Sequence, residues 1–174
     1  MTTTSSPTPH PLFARALEDL GLADLTVRAF PEGTRTAADA AAAIGCALSQ
    51  IVKSLVFAAD GVPVLVLMDG ASRVDVEAVR RVLGAGKVTR ADAALVRAST
   101  GYAIGGVPPF GHTTRLRVLA DRSLLAHEVV WAAAGTPHTV FAMAPRDVIR
   151  HASATPTDVR EGGGNTPAQQ PAGA

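Results

Sequence analysis

Cysteine is nearly absent: of 174 residues, only Cys46 carries a thiol. No disulfide can close within the chain, which points to a reducing, cytoplasmic setting. Cys46 itself reads as a small buried residue. Aromatic residues make up 4% of the chain, so its 47% hydrophobic content must build a core from Ala, Val and Leu. Net charge is only +1. That excludes a general polyanion binder and confines any nucleic-acid contact to a local patch. No apolar run reaches the roughly 18 residues a membrane-spanning helix needs, and no membrane contact is expected. The start, MTTTSSPTPHPLF, lacks the basic segment and apolar stretch of a signal peptide. Metal-ligand spacings are missing as well. His10, His112, His127, His138 and His151 form no H-E-x-x-H or Cys–His set, so neither a metal nor another cofactor is expected.

Lysine is the most informative scarcity. Of 16 basic residues only Lys53 and Lys87 are lysines; the rest are arginines. Lys53 lies in SQIVKSLVF, among Ile51, Val52, Leu55, Val56 and Phe57. A chain that uses Arg for ordinary positive charge has Lys there for what a compact ammonium does, or because its stem packs while its head reaches water. The residues alone leave both readings open.

What is present suggests one α/β domain over residues 10–152, with residues 1–9 and 153–174 as disordered leader and tail rich in Thr, Ser, Pro, Gly and Gln. Helical spacing of Leu12, Phe13, Ala16, Leu17 and Leu20 predicts a first helix stopped by Gly21. A short strand, LTVRAF, precedes an Ala-rich helix with Thr36 as N-cap and Gly45 near its end. Two apolar runs, 51–58 and 62–68, flank ADG and predict a hairpin. SRVDVEAVRRVLG, RADAALVRAST and APRDVIRHA read as helices; RLRVLAD, EVVWAAAG and HTVFAMA as strands; RSLLAH as a helical turn. Hairpins mixed with helices argue for a mixed, mostly antiparallel sheet surrounded by helices, an α+β arrangement.

Chemistry concentrates in GYAIGGVPPFGH, residues 101–112, with four Gly and two Pro in twelve positions. Gly105 and Gly106 allow close approach of a ligand to the backbone. Consecutive N–H groups there could form a nest for a carboxylate, a phosphate or an oxyanion. The loop matches neither the dinucleotide fingerprint nor the P-loop. Ser54 beside Lys53 is a weak nucleophile candidate, because neighbours in a strand point to opposite faces. The basic groups Arg80, Arg81, Lys87, Arg90 and Arg115, Arg117 read first as solvated surface.

Three segments resemble the YbaK-like family of aminoacyl-tRNA deacylases, related to the editing domain inserted in prolyl-tRNA synthetases. They are CALSQIVKSLVF, TGYAIGGVPPFGH and LLAHEVVWAAAGTPHTV, within a likeness spanning roughly Thr36 to Arg150. The resemblance implies hydrolysis of the ester joining a wrong amino acid to the tRNA 3′ adenosine, without metal or protein nucleophile. It implies Lys53, Gly105 and Gly106 as the catalytic residues, and Gly101, Pro108, Gly111, His112 and His138 as substrate-binding ones. It further implies the tRNA acceptor end as partner, an aminoacyl-tRNA synthetase as a possible second partner, and action in trans as a monomer or weak homo-oligomer. A non-catalytic tRNA- or synthetase-binding protein on the same fold is the alternative.

Overall fold

The computed structural model describes residues 7–30 and 36–162. Pro11–Asp19 form α1, whose first turn is capped by His10: its Nδ1 accepts from the Leu12 N–H at 3.1 Å. Phe13 and Leu17, four apart, are the buried stripe of this helix. After β1 (Val27–Ala29), α2 (Ala37–Ile44) opens with a reciprocal capping box between Thr36 and Asp39 and ends on Gly45 in the left-handed conformation. The expected hairpin is β2 (Val52–Ala59) and β3 (Val62–Asp69), turned by Asp60 and Gly61, both at positive φ. Asp75 caps α3 (Val76–Leu83), its side chain accepting from the Ala78 N–H. Then come β4 (Val88–Arg90), α4 (Ala93–Thr100) capped by Asp92, β5 (Arg117–Asp121), β6 (Val130–Ala133), β7 (Thr139–Met143), α5 (Pro145–Ala152) and β8 (Thr155–Thr157).

The single sheet expected from sequence is two. One is antiparallel, in the order β1-β7-β6; the other is mixed, in the order β4-β2-β3-β5-β8. Antiparallel pairings still prevail, since only β3–β5 and β5–β8 run parallel. The sheets meet where Ile51 bridges Trp131 and where the Gln50 side chain donates to the Val129 carbonyl at 3.1 Å. Alternation along β2 divides the interior. Val52 and Val56 join the larger core with Phe13, Tyr102, Phe110 and Phe141. Phe57 and Ala59 join a second core with Val79 of α3.

The expected flexible tail from Ser153 begins too early. Residues 153–162 belong to the fold: β8 pairs with β5, and Val159 is fully buried. The Val159 N–H donates to Asp121 Oδ1 at 2.8 Å and its carbonyl accepts from the Asp75 N–H at 2.7 Å. Thr155, Pro156 and Thr157 carry no hydrophobic alternation, so composition hides this strand. Residues 163–174 and 1–6 lie outside the described residues; Pro7–Pro9 are described and form neither helix nor strand.

Candidate functional site

One feature of β2 creates the site. β4 pairs only with Phe57, Ala58 and Ala59, and the last contact along that edge is the Ala91 N–H to the Val56 carbonyl at 3.1 Å. From Val52 to Val56 the edge of β2 opens onto a cavity of about 290 Å³. Main-chain groups of successive strand residues point to alternate sides. Val56 faces the β4 side, and Ile51 faces β3 by accepting from the Gly70 N–H. The N–H and C=O of Ser54 therefore face the cavity. Its other walls are Thr36, Ala37 and Ala40 of α2; Trp131, Ala132 and Ala133 of β6; Ile104, Gly105 and Val107 after α4; and Thr136 and Pro137 before β7. Arg90 stands at the rim, its guanidinium over the Phe57 ring at 5.6 Å. The lining is mainly apolar with a few polar groups, as in small-molecule sites.

Lys53 also lines this cavity and is half-buried. Its ammonium donates to the Ser72 carbonyl. Burial holds its pKa below the ordinary lysine value. The Asp69 carboxylate opposes that shift, while Arg90 and Arg73 add to it. Asp69 is itself buried and held by the Ala71 N–H at 2.9 Å and the Ser123 hydroxyl at 2.7 Å. Lys53 and Arg90 are thus two cations lining the cavity, and neither has an ion-pair partner among the described residues.

The Gly-Pro loop divides. Gly105 lines the cavity with φ +91°, and no hydrogen bond among the described residues engages its N–H. Gly106 is different: its N–H donates to the Ala103 carbonyl at 3.0 Å, so it is not free for an oxyanion. A Cβ at Gly106 would lie 3.0 Å from the Gly135 carbonyl oxygen and from backbone atoms of Thr136. This glycine serves close packing of two loops, and the expected two-residue nest reduces to Gly105.

The remaining loop residues expected to bind substrate sit behind the cavity. Gly101 ends α4 with φ +88°, and a Cβ there would fall 2.6 Å from Thr113 Cγ2. Gly111 would place one 2.8 Å from Ala16 Cβ, and its carbonyl accepts from the Tyr102 hydroxyl at 2.8 Å. The Pro108 carbonyl meets His112 Nε2 at 2.8 Å, and burial lowers the pKa of that imidazole. These contacts knit the loop to α1 and to itself. His138 is exposed in the turn between Thr136 and Thr139, outside the cavity lining; its carbonyl accepts from the Phe30 N–H at 2.8 Å. Cys46 is half-buried, with burial pushing its thiol pKa up, and lies outside the cavity.

Sequence reasoning missed Trp131 and the α2 wall, and took Arg90 first as solvated surface. The single Trp was a usable signal, because large amphipathic rings favour sites with one wet side. The wall was not legible, since Ala37 and Ala40 look like any Ala-rich helix face. Among the described residues, no three His, Cys, Asp or Glu side chains gather as a metal site, and no helix is long and apolar enough to cross a membrane.

Residues 31–151, which include every wall of the cavity but Phe30, match the family model described as the aminoacyl-tRNA editing domain. The chain belongs to that family. A protein from Bacillus subtilis, the uncharacterized YwhH, is 32% identical over 123 residues, covering 70% of this chain and 78% of YwhH. The proline–tRNA ligase of Geobacter is 34% identical over 92 residues, covering 53% of this chain but only 16% of the ligase. A crystal structure of a candidate trans-editing enzyme for prolyl tRNA synthetase superposes with TM-score 0.82 at 40% identity, over 89% of this chain and all of that one. The editing domain's single mixed α/β fold is therefore this chain's fold.

Proposed function

We propose that this editing domain is an aminoacyl-tRNA deacylase, hydrolysing the ester of a mischarged tRNA in the cytoplasm and acting in trans. The observation that carries the proposal is the meeting of Lys53 and Gly105, distant in sequence, at one cavity along an unpaired strand edge. A polyanionic tRNA end needs a positive rim, and Lys53 and Arg90 supply it. The cavity admits a small aminoacyl group, and its apolar walls exclude bulk water from the ester.

In this reading the terminal phosphate or ribose leans on the Lys53 ammonium, which exchanges the Ser72 carbonyl for the substrate. Bound anion restores the proton affinity that burial takes away. Water adds to the ester carbonyl, and the substrate's own neighbouring ribose hydroxyl takes part in orienting that water. The Gly105 N–H donates to the oxyanion as the tetrahedral intermediate forms. Collapse breaks the carbon–oxygen bond to the ribose, which leaves with a proton, releasing free amino acid and uncharged tRNA.

A second sieve of this kind has a physical reason to exist. A synthetic pocket separates side chains differing by one methylene by only about 1–3 kcal/mol. The test is single-turnover hydrolysis across a panel of tRNAs charged with small amino acids. Release of at least one amino acid above the spontaneous rate is expected. Tight binding of charged tRNA with no release from any would favour the regulatory alternative.

A further inference from the structure

Trp131 is the only tryptophan, and the core does not use it. It joins neither hydrophobic core, and among the described residues no other aromatic ring packs on it. It is only partly buried and lines the cavity. Its indole N–H has no hydrogen-bond partner among the described residues. That N–H is also accessible, since Ser54 Oγ is the one buried side-chain polar atom left without a partner there. A buried tryptophan usually satisfies its N–H within the protein. Here a large amphipathic ring is kept at the wet side of a site.

Arg28 holds the ring from behind. Its guanidinium lies over the indole, 5.2 Å from the ring centroid. Arg28 is exposed on β1 and does not line the cavity, so it backs the ring on the side away from it. It also precedes residues 31–151, so the family match does not include it. Toward β2, Ile51 bridges Trp131, which puts their side chains on one face. Lys53, two residues further along, shares the face of Ile51. Ring and ammonium are thus offset by two strand residues, about 7 Å, the reach from the phosphate of one nucleotide to its base. Gly105 belongs to a different wall, after α4. A flat π surface beside a cation, apart from the oxyanion donor, fits a nucleobase. Unstacked bases settle on aromatic rings in this way, with sugar and phosphate held alongside. A short aliphatic side chain would cover little of the indole and offer nothing to its N–H.

We propose that Trp131, backed by Arg28, is the stacking platform for the adenine base of the terminal tRNA nucleotide, whose phosphate lies at Lys53. The proposal rests on the reading of this cavity as the site for a charged tRNA end. It sorts that end into three places: base on Trp131, phosphate at Lys53, ester carbonyl at Gly105.

The ring reports on itself, because no other tryptophan contributes to the emission. The full chain is titrated with adenosine 5′-monophosphate while tryptophan fluorescence is followed, excited where the base does not absorb. Inorganic phosphate is the control for the Lys53 contact alone. Saturable quenching by the nucleotide, absent with phosphate, is expected. Alongside, Trp131→Leu and Trp131→Phe are compared with wild type in single-turnover hydrolysis and in melting temperature. Trp131→Leu should raise the concentration giving half-maximal rate on the order of 10-fold, and Trp131→Phe should recover most of that loss. No quenching by the nucleotide, or equal quenching by phosphate, overturns the proposal. So does a folded Trp131→Leu protein that matches Trp131→Phe, since an apolar wall would then suffice. Quenching in a protein that hydrolyses no ester keeps the platform and overturns only the deacylase reading. Hydrolysis without quenching does the reverse.

Discussion

Gly105 and Gly106 are neighbours in one loop, and the fold uses them in opposite ways. Gly105 faces open space: a Cβ there would find nothing nearer than Pro137 Cγ at 3.9 Å. Gly106 faces backbone at 3.0 Å, with its N–H already bonded. The same contrast runs through the whole site. Lys53 and Gly105 stand at the cavity, whereas Gly101, Gly106, Pro108, Gly111 and His112 form the packed back of the loop. A Gly-Pro-rich sequence marks where the backbone comes close to something. It does not say whether that something is a ligand or the protein itself.

Substitution separates the two sides. The largest effect is expected at the cavity. Gly105→Ala must relax from φ +91°, which moves its N–H. A misplacement of about 1 Å costs on the order of 10²-fold in rate, while the strain costs about 1–3 kcal/mol of stability. Single-turnover rate and melting temperature, measured together, check this; full activity in a folded Gly105→Ala protein would remove the oxyanion role.

Next in size is the far edge of the mixed sheet, where β8 does not line the cavity. Ending the chain at Ala154 removes β8 and the fully buried Val159. Burying a valine stabilises by about 1.5–3 kcal/mol, and in a protein of this length each kcal/mol shifts melting by about 2–4 °C. Relative to a chain ending at Gly162, melting should fall by about 5 °C or more in calorimetry. Equal melting would show that β8 contributes nothing.

Gly106→Ala should reverse the pattern of Gly105→Ala. Its Cβ forces two backbones apart, an overpacking cost of about 1–3 kcal/mol, while the surviving folded fraction keeps its turnover per molecule. A large rate loss with unchanged melting would return Gly106 to the cavity side.

The smallest effect belongs to His112. Burial lowers its folded-state pKa, with the Pro108 contact opposing. Below the ordinary value of about 6.5 the unfolded chain binds a proton that the folded one resists. Stability is therefore fully present above that value and is lost as pH falls through the window below it. In His112→Gln, which keeps a donor for the Pro108 carbonyl, the fall in melting temperature from about pH 6.5 downward should be shallower by a few degrees at most. An identical slope in both proteins would rule out this contribution.

Much of the fold was legible from residues with local meanings. Thr36, Asp92 and Pro145 begin helices, Gly45 and Gly84 end them, and Asp60–Gly61 turns a hairpin, each as its chemistry dictates. What escaped depends on distant partners. β4 and β8 are three residues each and exist because β2 and β5 offer them an edge; three residues carry too little pattern to announce a strand. The split into two sheets follows from where β2 stops being paired, which no local signal encodes. Of the candidate site, Lys53 was singled out by the rarity of lysine in an arginine-rich chain, and it lines the cavity, while the residues alone left its role open. The division of the loop was not, because hydrogen bonding of an N–H is set by packing rather than by residue type.

The central claim is that Lys53 serves the substrate rather than the core. Its bond to the Ser72 carbonyl is what a packing role would use, so the two readings part when the ammonium is removed. Lys53→Met matches the stem and discards the charge; Lys53→Arg keeps the charge but spreads it over a planar fork. The decisive measurement is single-turnover hydrolysis of mischarged tRNA by wild type and both variants, with melting temperatures alongside. The account predicts wild-type release of the amino acid, loss of release on the order of 10²-fold or more in Lys53→Met with melting kept or raised, and loss of most turnover in Lys53→Arg with some tRNA affinity retained. Lys53→Met that hydrolyses the ester at the wild-type rate would contradict it.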